Sequence, residues 1–265
     1  MEGMKIRLSP IAASLLVPVA LLLSLTAGTG ACHGAGHISL TLSVAASLTN
    51  AVTEAENSYI RDHQQILFGN NFGSSGTLAR EIEQGAPVDV FLSAASQPMN
   101  DLQAKGLILP GTRRDLLRNS LVLIAPLDSR LAGFEGLADP SVRLVALGDP
   151  SNVPAGQYGR QTLMALNLFN GLKTRLVFAK DVHQVLTYVE TGNADAGLVY
   201  ATDAQISGKV RVVATAPESA HDPIVYPAAV LASTRNRDAA REFVEFLSSS
   251  AARAVFQKHG FTMAP

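Results

Sequence analysis

The chain has 265 residues, of which 47% are hydrophobic and 16% are charged, and its formal net charge is -1. The apolar content is high enough for a large core, although the charged fraction is below the roughly 25% of an average soluble protein. Because phosphate backbones and anionic lipids require a clustered excess of Lys and Arg, this balance argues against a nucleic-acid or membrane-surface partner. A single cysteine, Cys32, excludes an intramolecular disulfide framework and a structural zinc site built on thiolates.

Residues 1–31 have the pattern of a secretory signal peptide. Lys5 and Arg7 form a basic end, an apolar run follows from about 11 to 25, and small residues precede Cys32. A retained membrane anchor is the alternative, although the run is short for a bilayer and contains a proline. We therefore expect export to the periplasm. The segment before Cys32 weakly resembles a lipoprotein box, so a lipid-anchored form through Cys32 is a second alternative.

From residue 38 onward, the sequence predicts strands that alternate with helices. In the first half, we predict strands at 38–46, 66–70 and 88–93 and helices at 47–62, 75–84 and 97–105. In the second half, we predict strands at 120–125, 144–148, 176–179, 196–200 and 225–232 and helices at 155–166, 182–191 and 237–258. Such alternation is typical of an α/β fold with mainly parallel sheets.

The first predicted helix illustrates the pattern. Ser47 is its predicted N-cap, since a serine hydroxyl can accept from the first turn of a helix. Leu48, Val52, Ala55 and Tyr59 fall on one face at helical spacing, so we expect that face to be buried.

The pattern restarts after residue 119, which indicates two α/β lobes. We assign 37–119 and 227–265 to lobe 1 and 120–226 to lobe 2, with the strands at 120–125 and 225–232 crossing between them. Ligand sites in such folds form at domain interfaces and beyond the carboxyl ends of strands. We therefore expect a ligand in the cleft between the lobes.

Five loops rich in small, uncharged residues precede predicted helix starts. They are 45–49, 73–77, 153–156, 181–183 and 198–201. A helix N-terminus exposes unpaired N–H groups and about half a positive charge, so such loops can bind an oxyanion without Lys or Arg. Ser47 and Ser75 can add hydroxyl donors, and Tyr200 can add a phenol. Each also has a purely structural explanation, which is helix capping for the serines and a core position for Tyr200.

Neighbouring residues fit the same arrangement. Pro154 suits the first position of a helix, and Gly156 permits close approach of the backbone. Asp181 is the expected N-cap of the helix that follows it.

Several ordered segments carry a family resemblance. They are Ala45-Ala46-Ser47-Leu48-Thr49-Asn50, Gly73-Ser74-Ser75-Gly76-Thr77-Leu78-Ala79, Gly85-Ala86-Pro87-Val88-Asp89-Val90-Phe91, Gly148-Asp149-Pro150 with Val153-Pro154-Ala155-Gly156, and Val199-Tyr200. From about residue 38 to the C-terminus, the chain closely resembles the molybdate-binding periplasmic proteins of bacterial ABC importers. The resemblance implies a two-lobe type II periplasmic-binding fold, a cleft that binds molybdate or tungstate, and an inner-membrane ABC permease as partner.

The resemblance also implies a ligand set that binds molybdenum only as its oxyanion. Ser47 and Ser75 would donate from the first lobe, and Ala155 and Val182 through backbone N–H groups and Tyr200 through its hydroxyl from the second. The chain departs from the pattern at two positions: Gly76 stands where some members have Ser, and His183 follows Val182 where others carry a basic residue. His183 either tunes affinity with pH or is an exposed helix histidine.

Two other functions stay open at this point. A binding protein for sulfate or another oxyanion would use the same donors. Phosphate keeps a proton near neutral pH and therefore needs an acceptor that a donor-only cavity lacks. A secreted hydrolase is less well supported, because Gly73-Ser74-Ser75-Gly76 lacks the G-x-S-x-G spacing and the histidines show no paired metal spacing. We expect a monomer without enzymatic activity or a cofactor.

Overall fold

The computed structural model describes residues 37–265. The predicted signal peptide at 1–31 and Cys32 lie outside the described residues. Within 37–265, no helix combines the length and apolar content that a membrane span requires.

The described part of the chain forms two sheets surrounded by helices. The strands are β1 (Ile38–Ala45), β2 (Ile66–Gly73), β3 (Val90–Leu92), β4 (Arg114–Arg118), β5 (Leu121–Pro126), β6 (Val145–Gly148), β7 (Leu176–Ala179), β8 (Ala196–Tyr200), β9 (Val210–Thr215), β10 (Val225–Val230) and β11 (Thr262–Met263). The helices are α1 (Thr49–Tyr59), α2 (Ser75–Glu83), α3 (Ser96–Ala104), α4 (Pro154–Ala165), α5 (Phe169–Leu172), α6 (Val182–Glu190), α7 (Ala201–Gln205), α8 (Arg237–Phe246) and α9 (Ser250–Lys258).

Both sheets are mixed. The first has the order β11-β4-β10-β3-β1-β2 and the second β7-β6-β8-β5-β9. Strand β1 pairs in parallel with β2 and β3, and β6 with β7 and β8, whereas β5, β10 and β11 pair only in antiparallel fashion. The prediction of mainly parallel sheets is therefore wrong. The chain reaches β5 and β10 directly from the other sheet. Parallel pairing would instead require a crossover connection, usually a helix, from a strand of the same sheet.

Each sheet forms the centre of one lobe. The chain passes between the sheets at 119–120, between β4 and β5, and at 216–224, between β9 and β10. The α/β architecture with two lobes agrees with the prediction from the sequence. The lobe bounds at 119/120 and 226/227 stay a prediction, and β10, which begins at Val225, pairs only within the first sheet.

Helix α1 corrects one prediction and confirms another. A short 3-10 helix, Ala46–Leu48, precedes α1, and the N-cap is Leu48 rather than Ser47. The predicted face is buried, since Leu48, Val52, Ala55 and Tyr59 are all at most 2% exposed. Ser47 lies within the 3-10 turn and does not cap α1, so its hydroxyl is free for other contacts.

A buried carboxyl group on α1 makes stability depend on pH. Glu56 is 6% exposed; Asn70 donates to its Oε2 over 2.9 Å, and its Oε1 has no hydrogen-bond partner among the described residues. Burial raises the pKa of Glu56 from its ordinary value of 4.5 to about 7. Between these two values, the folded protein binds a proton that the unfolded chain releases. Its free energy of unfolding therefore falls as the pH rises through this window.

We predict that Glu56→Gln removes this pH dependence. Between pH 5 and pH 8, the free energy of unfolding of the wild type should fall by about 1 to 3 kcal/mol more than that of the variant. Chemical unfolding at the two pH values measures the difference. Glu81→Gln is the matched control, because Asn71 also donates to Glu81 over 2.8 Å but at an exposed position. Parallel pH profiles for the wild type and Glu56→Gln would contradict the assignment.

Candidate oxyanion-binding site

A small cavity lies where the carboxyl ends of parallel strands from both sheets meet. The loops after β1, β2 and β3 line it from the first sheet, and the loops after β6 and β7 and the end of β8 line it from the second. It offers about 10 Å³ of space for the centre of a water-sized sphere. Sites for organic ligands of drug size have roughly 300 to 1,000 Å³, so this cavity fits a compact group of a few atoms.

The structure brings all five residues of the predicted ligand set to this cavity. They are Ser47, Ser75, Ala155, Val182 and Tyr200. Four of them are at most 4% exposed, and Ser47 is half-buried. The residues that line the cavity include no Lys or Arg. A group bound here would therefore be held by neutral donors in a nearly water-free environment.

Ser75 is oriented as a donor. It is the first residue of α2, and the helix is capped by Ser74, whose Oγ accepts from the Thr77 N–H. The capping explanation for Ser75 is thus excluded. The Oγ of Ser75 instead accepts a hydrogen bond of 2.9 Å from the N–H of Ala94. Because a hydroxyl that accepts on one side keeps its own hydrogen, Ser75 can donate into the cavity.

Ser47 is held by a similar chain of hydrogen bonds. Its Oγ lies 3.2 Å from the hydroxyl of Tyr226, and the side-chain amide of Asn119 donates to the same hydroxyl over 3.1 Å. Since Tyr226 accepts from Asn119, its hydrogen is available for Ser47. The hydrogen of Ser47 is then free to point into the cavity.

Two helix N-termini supply backbone donors. Pro154 is the first residue of α4 and Ala155 the second, and Val182 is the first residue of α6. N–H groups in the first turn of a helix have no acceptor within the helix. Asp181 caps α6 by accepting the Gln184 N–H over 2.8 Å, so the predicted roles of Pro154 and Asp181 are confirmed.

Close packing holds the N-terminus of α4 at the cavity. A Cβ atom on Gly156 would lie well inside contact distance of the Gly148 carbonyl group at the end of β6. The close backbone approach predicted at Gly156 is therefore confirmed. Any side chain at this position would push the N–H of Ala155 away from the cavity.

Tyr200 connects the two lobes. Its hydroxyl donates to the carbonyl of Ala94 over 3.2 Å, and the side chain is 1% exposed. Burial raises the pKa of Tyr200 well above its usual value, so the phenol stays protonated and remains a donor. With a single hydrogen, Tyr200 donates either to Ala94 or to a bound anion.

The cavity is not built of donors alone. Asp181 and the carbonyl of Ala94 also lie at its wall. One carboxylate oxygen of Asp181 is occupied by the N–H of Gln184, and the carbonyl by Tyr200. Each of these acceptors therefore already has a donor within the protein.

An acidic residue and a histidine lie directly behind Tyr200. Asp203 is 1% exposed and accepts from the backbone N–H of Tyr200 over 3.2 Å, while His183 Nε2 lies 3.5 Å from its other oxygen. The hydrogen bond to Asp203 raises the pKa of His183, and burial raises the pKa of Asp203. His183 is thus paired with a carboxyl group rather than only exposed on its helix.

Sequence reasoning missed three residues that form hydrogen bonds with the predicted site residues or their partners, namely Ala94, Tyr226 and Asn119. Ala94 had a recognisable signal, because Ser93-Ala94-Ala95 follows β3 as Ala46-Ser47 follows β1. The roles of Tyr226 and Asn119 arise from contacts between residues 107 and 179 positions apart. Such contacts leave no local pattern in the sequence.

We predict that Gly156→Ala destabilises the protein by about 1 to 3 kcal/mol, because the added methyl group forces α4 away from β6. Gly171→Ala is the matched control, since a Cβ atom there meets no atom within 4 Å. Alanine in place of a helical glycine should then be neutral or slightly stabilising. Chemical unfolding measures both changes. Equal stability of Gly156→Ala and the wild type would show that the close approach is not required.

Within residues 37–265, no group of three or more His, Cys, Asp and Glu side chains is placed to hold a metal ion.

Comparison with known proteins identifies the family to which the chain is similar. The model of the bacterial extracellular solute-binding proteins matches residues 40–262. The protein named "Putative ABC transporter substrate-binding lipoprotein YvgL" of Bacillus subtilis is 45% identical over 85% of this chain and 86% of its own length. The molybdate-binding protein ModA of Haemophilus influenzae is 38% identical over 84% of this chain and 89% of its own length.

A solved structure supports the two-lobe architecture. The periplasmic molybdate-binding protein of Azotobacter vinelandii superposes with a TM-score of 0.77 at 26% identity, covering 85% of this chain and 100% of that protein. The predicted type II periplasmic-binding fold is therefore confirmed. The chain belongs to the family of bacterial extracellular solute-binding proteins.

Proposed function

We propose that this protein captures molybdate, and also tungstate, outside the cytoplasm and delivers it to the permease of an ABC importer. The observation that carries the proposal is the convergence of neutral donors from both lobes on one small, buried cavity whose lining includes no Lys or Arg. The names of the Haemophilus and Azotobacter relatives, both molybdate-binding proteins, support the choice of ligand.

The gross hydrogen-bond energy of the donors is in the range that tight binding requires. A hydrogen bond to a charged group contributes about 1.5 to 3 kcal/mol, so five of them contribute about 8 to 15 kcal/mol. Micromolar to nanomolar affinity requires about 8 to 12 kcal/mol. Desolvation of the anion and closure of the lobes offset part of the gross contribution. In this proposal Ser47, Ser75, Ala155, Val182 and Tyr200 are the ligands, and the ion is bound without a separate cofactor.

Selectivity follows from the protons of the ligand. Molybdate is a fully deprotonated dianion near neutral pH, so all of its oxygens are acceptors for the cavity donors. Phosphate retains a proton, and at the wall only the Ala94 carbonyl and the second carboxylate oxygen of Asp181 could accept it. We propose that a cavity made mainly of donors fits a fully deprotonated dianion better, which disfavours phosphate. Sulfate has no proton, so we propose that the spacing of donors for a larger tetrahedron disfavours it.

Capture requires movement of the lobes. Because Ser75, Ala155, Val182 and Tyr200 are nearly inaccessible, an ion can reach them only when the lobes separate. The connections at 119–120 and 216–224 join the lobes and are the natural hinge. A ligand that contacts both lobes favours the closed form, which we propose is the form that the permease recognises.

Location and assembly complete the proposal. The protein acts as a monomer in the periplasm and has no enzymatic activity. The Bacillus relative is named a lipoprotein. By analogy, a form anchored by a lipid on Cys32 is the alternative to the free periplasmic form.

We predict that molybdate and tungstate bind to the purified protein with saturable heat and that sulfate and phosphate bind at least about 100-fold more weakly. Isothermal titration with the four oxyanions measures the difference. Saturable heat with sulfate alone would replace molybdate by sulfate as the ligand.

Two adjacent serines allow a sharper test of the site. Ser75→Ala removes a ligand donor, so the dissociation constant for molybdate should rise about 10-fold to 150-fold, equivalent to about 1.5 to 3 kcal/mol, with little loss of stability. Ser74→Ala removes the helix cap instead, because the hydroxyl of Ser74 is committed to Thr77. It should lower the free energy of unfolding by about 1 kcal/mol and leave the affinity unchanged. If both variants bind molybdate like the wild type, Ser75 is not a ligand.

A further inference from the structure

The rim of the cavity carries a contact between the lobes that uses none of the proposed ligand groups. The backbone N–H of Gly76, on α2 of the first lobe, donates to the carbonyl of Asn152 over 2.9 Å. Asn152 precedes α4 of the second lobe. Gly76 follows the ligand Ser75 directly, and Asn152 lies three residues before the ligand Ala155. The bond therefore closes the cavity beside two of its donors.

This contact depends on the absence of a side chain. A Cβ atom on Gly76 would lie 2.5 Å from the carbonyl oxygen of Asn152, 2.9 Å from its Cα and 3.0 Å from its carbonyl carbon. All three are backbone atoms, so a rotamer change cannot relieve the overlap. Any other residue at position 76 would have to hold the lobes further apart. Gly76 is also a position at which this chain departs from the pattern of the family it resembles.

The second contact across the cavity cannot take the same role. The hydroxyl of Tyr200 reaches Ala94 in the other lobe, but its single hydrogen is needed for the anion once one is bound. The N–H of Gly76 is already paired with Asn152, so it does not compete for the ligand. The Gly76–Asn152 bond is therefore compatible with an occupied cavity.

We propose that Gly76 determines affinity by forming a latch with Asn152 that slows release of the bound oxyanion. The inference rests on the proposed function, since it requires a ligand in the cavity. The latch stabilises the closed form without touching the ion. Its loss lowers the population of the closed form, and the apparent affinity falls in proportion. Because the ion first meets the open lobes, the latch acts on the rate of release and not on the rate of capture.

The test compares Gly76→Ala with Gly69→Ala. Gly69 lies on β2 of the same lobe, and a Cβ atom there meets nothing within 4 Å. For each variant and the wild type, exchange of radiolabelled oxyanion against excess unlabelled oxyanion gives the release rate, and titration gives the affinity. Thermal unfolding without ligand reports on the integrity of the lobes. The ion is whichever of molybdate, tungstate, sulfate and phosphate the wild type binds.

We expect Gly76→Ala to release the ion at least about tenfold faster, with an association rate within about twofold of the wild type. Its melting temperature without ligand should match that of Gly69→Ala, because the open lobes relieve the overlap. An unchanged release rate, or a melting temperature lowered by Gly76→Ala alone, would overturn the latch and leave the proposed function intact. If the wild type binds only sulfate, the ligand assignment fails while the latch is still tested. If it binds none of the four ions, both proposals are wrong.

Discussion

The proposed site depends on one physical constraint: a small anion can lose its hydration water only where enough hydrogen-bond donors already point at it. Each lobe meets this constraint by ending its parallel strands at the same edge of a sheet and beginning a helix or turn directly afterwards. Unpaired N–H groups of α4 and α6 then meet the hydroxyls of the opposite lobe. Neither lobe supplies the full set, so complete coordination requires both. In the proposed function, the same requirement couples binding of the ion to the position of the lobes.

Donors are useful only if their hydrogens point inward, and the surrounding protein fixes that direction. Ser75 accepts from Ala94, and Ser47 is linked through Tyr226 to Asn119. In each case a donor behind the hydroxyl occupies one lone pair, which leaves the hydroxyl hydrogen for the cavity. Asn119 also donates to Thr202 of the second lobe over 2.9 Å. The residue that orders Ser47 therefore lies in the connection between the lobes, so the hinge and the site share one hydrogen-bond network.

Local sequence signals predicted those parts of the molecule that depend on neighbours in the chain. Strands β7 and β8 were predicted at their observed bounds, because each is a short apolar run between turn residues. Strand β4 was missed, since Arg114 and Asp115 begin it and only its central leucines are buried. The antiparallel pairing of β5 and β10 was not predicted, because pairing depends on the path of the chain between the lobes. The residues proposed as ligands at helix starts could be predicted from motifs, whereas Ala94 and Tyr226 act through contacts between distant segments. Ser47 shows the limit of a local rule, since a 3-10 turn displaced the expected cap.

The acidic residues around the cavity are compatible with an anion because each is already engaged by the protein. Asp181 stabilises the N-terminus of α6, where its negative charge and the helix dipole attract each other. Asp203 accepts from the N–H of Tyr200 with one oxygen, and its other oxygen lies 3.5 Å from Nε2 of His183. Without these partners, two carboxylates next to a dianion would repel it strongly in a region of low dielectric constant. His183, which follows Val182, thus lies against the carboxyl group that accepts from the backbone of Tyr200, and in its protonated form it offsets the charge of that group.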